Sequence, residues 1–237
     1  MFEHLFPEHP ISMFSNCAIS FFRKLRPPEK LPDGIDPLYP HPQPEVQQAI
    51  REFFTRFYSD EEPRVMLIGI NPGRFGAGIT GINFTAPRQL LNDCGITHQF
   101  GESSELSAEF IYTIIREYGG AAAFYSRFYI GSVSPIGFVR AGKNLNYYDD
   151  PQLLASIKPY AVQCLQSQLS CGILRQKAIC IGGYKNLHFL NRLNEEYHFF
   201  DEIISVPHPR FIMQYRRSQL QMHVQEYLSA LAYCVNE

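Results

Sequence analysis

Val65-Met66-Leu67-Ile68-Gly69-Ile70-Asn71-Pro72-Gly73-Arg74-Phe75-Gly76 begins as an almost wholly apolar run and ends on an amide. Residues 65–70 show no alternation of polar and apolar side chains, the pattern of a strand covered on both faces of a parallel sheet. Asn71 stands at its carboxyl end. Pro72 fixes φ and removes a donor while Gly73 tolerates positive φ, so the chain turns sharply as it leaves the sheet. Ligands of open α/β sheets collect at this edge, which makes Asn71 a candidate site residue. Taken alone, the same amide serves equally well as a local cap of the turn.

Three more strands follow from the pattern: residues 128–133, ending in Ser134-Pro135; residues 177–181, closed by Gly182-Gly183; and residues 203–206, leading into Pro207-His208-Pro209-Arg210. A helix at residues 45–58 is expected to lead into the first strand, and others are expected between the strands from Pro87 to about Cys94 and at residues 105–117, 151–170 and 185–194. A long amphipathic helix over residues 213–233 closes the chain. Residues 140–146 read as a polar loop. Strands alternating with helices, without internal repeat, predict a doubly wound α/β fold. Its mainly four-stranded parallel sheet carries helices on both faces as a three-layer sandwich, and three of its four strand ends carry polar residues able to converge. Ahead of it, residues 1–60 read as an extension packed on the α/β domain of residues 61–237. Ile11, Phe14, Ala18, Phe21, Phe22 and Leu25 recur at helical spacing, and seven prolines from Pro27 to Pro44 predict an extended connector.

Composition narrows the function classes. With 45% hydrophobic residues among 237, the chain can bury a full core, and a net charge of −2 excludes a protein coated in basic residues. The charges are segregated, however. Residues 63–92, 118–148 and 203–225 contain no carboxylate but carry Arg64, Arg74, Arg88, Arg127, Arg140, Lys143, Arg210, Arg216 and Arg217. On one shared face they would suit a polyanion. The six cysteines form no C-x-x-C pair, which argues against a zinc or iron–sulfur site. The first 25 residues lack the apolar core of a secretory or membrane segment, so a cytoplasmic protein with reduced cysteines is expected, and the Asn83-Phe84-Thr85 sequon has no role.

Several chemistries fail on context. Gly76-Ala77-Gly78-Ile79-Thr80-Gly81 matches the dinucleotide fingerprint literally, but Asn71 to Phe75 separate it from the strand and the expected helix waits for Pro87. No Lys-Ser or Lys-Thr closes the run as a P-loop requires, and neither H-E-x-x-H nor a spaced acidic set is present. What remains is Asn71 on the first strand exit, His208 on the last, and Phe84 in the loop between. An amide orients a water, an imidazole stabilises a developing anion, and an aromatic ring stacks on a base.

In this arrangement the chain resembles the single-strand-selective monofunctional uracil-DNA glycosylases. Gly69-Ile70-Asn71-Pro72-Gly73-Arg74-Phe75-Gly76, with Thr80-Gly81 and Phe84, resembles their first motif; His208-Pro209 resembles the opening of the second. Ser134-Pro135 and Gly142-Lys143-Asn144-Leu145 resemble the central segment. The resemblance spans roughly residues 65–217. It implies hydrolysis of the N-glycosidic bond of uracil in single- or double-stranded DNA by a monomer, leaving an abasic site, with no metal, cofactor or membrane. Asn71 would position the water and His208 would donate to the base oxygen. Phe84 would stack on the extruded base, and Ile70, Gly73 and Phe75 would line its site. Arg74, Lys143, Arg210, Phe211, Arg216 and Arg217 would grip or wedge the DNA. Two departures stand out. Relatives follow His-Pro with Ser-Pro-Arg, whereas here Arg210-Phe211-Ile212-Met213 follows directly, leaving the wedge unassigned. Ser132 stands where relatives carry the asparagine that reads the base. The hydroxyl implies weaker uracil selectivity, action on xanthine or hypoxanthine, or rescue of the lost contact by Asn144 or a water. Two other classes remain open: a non-catalytic nucleic-acid binder of the same fold, and a nucleotide-dependent enzyme using residues 76–81.

Overall fold

The apolar run at residues 65–70 forms the inner strand of a parallel sheet in the computed structural model, which describes residues 13–235. In chain order the elements are α1 (Met13–Lys24), β1 (Ile35–Leu38), α2 (Pro44–Phe57), β2 (Arg64–Gly69), α3 (Ala77–Thr80), α4 (Pro87–Asn92), α5 (Leu106–Glu117), α6 (Ala121–Tyr125), β3 (Phe128–Ser132), β4 (Gly137–Arg140), β5 (Lys143–Leu145), α7 (Pro151–Leu169), β6 (Ile173–Ile181), α8 (Gly183–Tyr197), β7 (Glu202–Val206), α9 (Pro209–Tyr215) and α10 (Leu220–Val235). Every residue of β2 is buried, as its lack of alternation requires. The parallel sheet has the order β3-β2-β6-β7, so the chain runs outward from β2 to β3 and then returns past β2 to β6. That reversal puts a switch point, and hence a crevice, at the carboxyl end of β2.

A second sheet, β1-β4-β5, was not foreseen. Residues 140–146 are no simple polar loop: β4 and β5 form a hairpin closed by Ala141 and Gly142, both at positive φ (48° and 69°). Such a turn matches strand twist, but its usual signature is Asn-Gly, which Ala-Gly lacks. β1 hid inside the proline-rich connector because an edge strand, paired on one side only, tolerates a residue such as Pro37 that lacks a donor. The expected C-terminal helix divides as well. α9 starts at Pro209 and stops at Arg216, whose φ of −132° and ψ of 24° leave the helical region, and a 3-10 turn (Arg217–Gln219) leads into α10.

The N-terminal helix packs on the core through Phe14, Ala18 and Phe22; the expected contact of Ile11 lies outside the described residues. Beneath it, Arg64 is fully buried (0% exposed), paired with both Asp60 carboxylate oxygens at 2.6 and 2.9 Å and bonded to the Tyr125 carbonyl. Its guanidinium lies 5.4 Å from the rings of Phe14 and Tyr58. Arg64 therefore belongs to the core and not to a basic surface. Reduced cysteines were expected throughout, yet Cys17 and Cys171, 154 residues apart, are joined by a disulfide that ties α1 to the turn before β6. Spacing along a chain cannot reveal a pairing that only the fold brings together.

Candidate active site

Asn71 leaves β2 beside the hairpin, and the hairpin fixes its side chain. Asn71 Nδ2 donates to the Leu145 carbonyl at 3.2 Å, and the Tyr147 backbone N–H donates to Asn71 Oδ1 at 3.0 Å. A carbonyl on one side and an N–H on the other settle the amide's orientation. Oδ1 keeps one lone pair for a further donor.

His208 follows β7 and is the N-cap of α9, where Pro209 at the first helical position supplies a fixed φ. Its Nδ1 accepts from the Arg210 backbone N–H at 3.1 Å. In the neutral ring the proton therefore sits on Nε2. Burial, assisted by the positive charge of Arg210, pushes the imidazole pKa down to about 4, so the neutral form prevails at neutral pH. The Tyr227 hydroxyl donates to the Pro207 carbonyl at 2.5 Å and anchors this corner.

Phe84 faces His208 with ring centroids 6.4 Å apart. Its φ of 52° is unusual for a bulky residue. The conformation lays the ring against the end of β2, where a Cβ at Gly69 would come within 2.7 Å of Phe84 Cε2. Asn71, His208 and Phe84 line one pocket of about 250 Å³, together with Ile70, Gly73, Ser132, Asn144, Arg210 and Phe211. A cavity at the small end of the ligand-site range suits one base, not a dinucleotide. The glycine-rich run has a packing explanation instead. A Cβ at Gly78 would meet Leu38 Cδ2 at 2.4 Å and one at Gly81 would meet Val46 at 2.7 Å, so the run is a close crossing over β1 and α2. It also contains a helix before Pro87, the single turn of α3.

A match to the uracil DNA glycosylase superfamily model extends over residues 55–232. The crystal structure of SMUG2 from Pedobacter heparinus superposes with a TM-score of 0.90 at 38% identity, aligning 94% of this chain and 99% of that one. A comparison with curated proteins returned no match. The chain belongs to the uracil-DNA glycosylase superfamily. It is a DNA glycosylase, a hydrolase of DNA repair whose substrate is DNA, built on the α/β fold that its strand pattern announces.

Within this glycosylase some expected residues stand elsewhere than the sequence suggests. Phe75 does not line the pocket; it is exposed on the rim under the Arg74 guanidinium, 5.0 Å from its ring. The Arg74 backbone N–H is not free for a base, since it donates to Asn144 Oδ1 at 3.2 Å. That bond takes one of the two acceptor positions of the Asn144 carbonyl. Lys143, Arg216 and Arg217 are exposed outside the pocket, with the Arg216 guanidinium 5.3 Å from the Phe211 ring. The Ser132 hydroxyl donates to the Ser134 carbonyl at 3.0 Å, which leaves it only acceptor capacity.

Several lining residues escaped the sequence reading, Asn83, Tyr215 and Glu105 among them. Asn83 was dismissed with its sequon, and Tyr215, at 67% exposure, pairs with Phe211 on α9 at the pocket mouth. Glu105, just before α5, brings a carboxyl against the wall formed by residues 73–76: a Cβ at Gly73 would lie 2.9 Å from its Oε2, and one at Gly76 2.6 Å from its Oε1. Burial raises its pKa, with Arg210 pulling the other way. Standing between Glu102 and Glu109 at the start of an expected helix, Glu105 carried no signal of this in the sequence.

Proposed function

We propose that this glycosylase excises uracil, and other deaminated bases that carry a ring N–H on their pairing edge, from DNA by extruding the nucleotide into the pocket. The observation that carries the reading is the convergence of Asn71 and neutral His208 on one base-sized cavity. Breaking the bond between C1′ and the base nitrogen leaves a cationic sugar and an anionic base. The site therefore has to stabilise charge more than supply a strong base. His208 Nε2–H donates to the base oxygen as negative charge collects there. Asn71 Oδ1 orients a water towards C1′, and Glu105, as the carboxylate, faces the developing sugar cation. Among the described residues, no lysine lines the pocket, in keeping with water as the nucleophile and an abasic site as the product.

Phe84 stacks on the extruded base. Phe211, 44% exposed, and Tyr215 stand on successive turns of α9 and serve as the wedge that fills the gap in the DNA. Arg74 and Arg210, each with a buried Nε that lacks a partner among the described residues, supply positive potential beside the backbone path.

The test is alkali-dependent cleavage of single- and double-stranded oligonucleotides carrying one uracil, xanthine or hypoxanthine, with wild type beside Asn71→Ala and His208→Ala. Cleavage by wild type that fails in both variants is expected. Salt-sensitive DNA binding without release of any of the three bases would instead favour a non-catalytic binder.

A further inference from the structure

Uracil shows two carbonyl oxygens flanking a ring N–H along its pairing edge, whereas cytosine has a lone pair at that ring nitrogen. Deamination thus turns a ring acceptor into a ring donor, and the same change occurs on passing from adenine to hypoxanthine. A pocket that separates the damaged base from its parent needs an acceptor held at that point. A rotating hydroxyl is a poor choice, and the hydroxyl of Ser132 is already committed to Ser134 O.

Asn83 meets the requirement. It is 7% exposed and lines the pocket beside Phe84 and Ser132. Its Nδ2 donates to the Ile130 carbonyl on β3 at 3.2 Å, two residues before Ser132. A carbonyl can only face the nitrogen end of the amide, so Oδ1 is fixed at the other end. Oδ1 has no hydrogen-bond partner among the described residues, and it is not among their sealed-off polar atoms that lack one. The accessible side of this otherwise buried residue is the pocket. Asn144, another amide of the lining, already has one of the two acceptor positions of its oxygen taken by Arg74 N–H.

We propose that Asn83 is the base-reading residue of this glycosylase, its Oδ1 accepting the ring N–H that distinguishes a deaminated base from cytosine or adenine. The amide lost at position 132 is thereby supplied from the loop carrying Phe84, so the residue that stacks and the residue that reads are neighbours in sequence. Guanine and thymine also carry a ring N–H, so this acceptor sorts uracil and hypoxanthine from cytosine and adenine and leaves other discrimination to pocket shape. The inference rests on the base-excision reading above.

The experiment compares single-turnover release of uracil and 3-methyluracil, which lacks the N–H, by wild type, Asn83→Ala and Ser132→Ala. Binding to DNA bearing a tetrahydrofuran abasic analogue checks fold and DNA grip without a base. Wild type should strongly prefer uracil. Asn83→Ala should lose about 10- to 100-fold on uracil, and its uracil-to-methyluracil ratio should collapse towards one with abasic-site binding intact. Ser132→Ala should keep the ratio. An Asn83→Ala enzyme that retains the wild-type ratio, or a Ser132→Ala enzyme that loses it, would overturn the assignment. If Asn83→Ala does not fold, Ser132→Ala alone decides on the same criterion. A wild type inactive on uracil would remove the substrate reading and this inference with it; an active wild type with an unaltered ratio in Asn83→Ala would remove only the latter.

Discussion

His208→Ala removes the Nε2–H donor and leaves the Arg210 backbone N–H without the acceptor it has in Nδ1. Losing one preorganised donor to a developing anion costs about 2.7 to 4 kcal/mol, or roughly 100- to 1000-fold in the chemical step. Losing the cap of α9 costs about 1 kcal/mol of stability, too little to mimic that fall. The pH profile separates a neutral donor from a cationic acid. With its pKa pushed to about 4, only about one imidazole in a thousand is protonated at pH 7. A mechanism needing the cation would therefore slow about tenfold for each pH unit from about 5 to about 8, whereas the neutral donor gives no such decline. Glu105 titrates in the same pocket with the opposite sign. Its pKa is raised, so a role for the carboxylate makes the rate climb with pH and level off, and Glu105→Gln should abolish that climb. Arg210 is the charged group whose field reaches both, lowering each pKa. The assay is single-turnover cleavage of a uracil oligonucleotide across this range. A tenfold-per-unit decline towards high pH that vanishes in His208→Ala would refute the neutral-donor reasoning, as would a variant within about threefold of wild type.

Gly69→Ala should push the Phe84 ring off the end of β2, since the new Cβ would lie 2.7 Å from Cε2; a loss of activity on uracil with about 1–3 kcal/mol of destabilisation in urea is expected, and full activity would show that the ring's position is immaterial. His41, 1% exposed and stacked between Phe22 and Tyr39, has a pKa pushed down to about 4 by burial, only partly offset by the backbone at Gly81, and neither ring nitrogen makes a well-formed hydrogen bond. Its contribution is present above about pH 6.5 and lost as pH falls towards about 4, on the order of 3 kcal/mol; His41→Phe should flatten the fall in urea stability between about pH 7 and 4.5, and an unchanged slope would contradict this. Arg64→Met leaves Asp60, whose side chain is 46% exposed, to water, but strips the buried Tyr125 carbonyl of its Arg64 donor and should cost about 1 to 3 kcal/mol of unfolding free energy; a cost below about 0.5 kcal/mol would mark the guanidinium as dispensable.

The parallel sheet was legible because apolar runs bounded by Gly and Pro leave few alternatives: residues 65–70, 128–133 and 203–206 fall within a residue of β2, β3 and β7. Strand exits then pointed to Asn71 and His208 without any contact being known, because side chains at the carboxyl ends of parallel strands face one crevice. What was hidden lies in long-range pairing. β1 and the β4–β5 hairpin are three or four residues long, too short for a period to emerge, and they are stabilised by one another. Asn83 and Glu105 were hidden for a different reason. One lies in an irregular loop and the other just ahead of a helix, and neither position declares which way a side chain points until the loops are packed.

The N-terminal segment reaches the active-site amide through a chain of three contacts. Leu38 at the end of β1 pairs with Gly137 on β4, and its side chain sits so close to Gly78 and Gly137 that a Cβ at either would come within 2.4 to 3.0 Å of Cδ2. β4 in turn pairs Phe138 with Leu145 on β5. The Leu145 carbonyl then accepts from Asn71 Nδ2. Shortening Leu38 to Ala loosens the first link and should let the hairpin drift. Since a displacement of about 1 Å at a positioning group can cost 100-fold, a fall of about tenfold in single-turnover rate is expected for a residue that acts through three contacts. Rate loss alone would not show that the effect runs through Asn71, because any destabilised enzyme slows. The double variant Leu38→Ala/Asn71→Ala separates the two: if Leu38 acts by holding Asn71, removing it costs little once the amide is gone, whereas an independent effect multiplies the two losses. A fully multiplicative result would confine β1 to stability, and the edge strand would then be scaffolding with no share in placing the water.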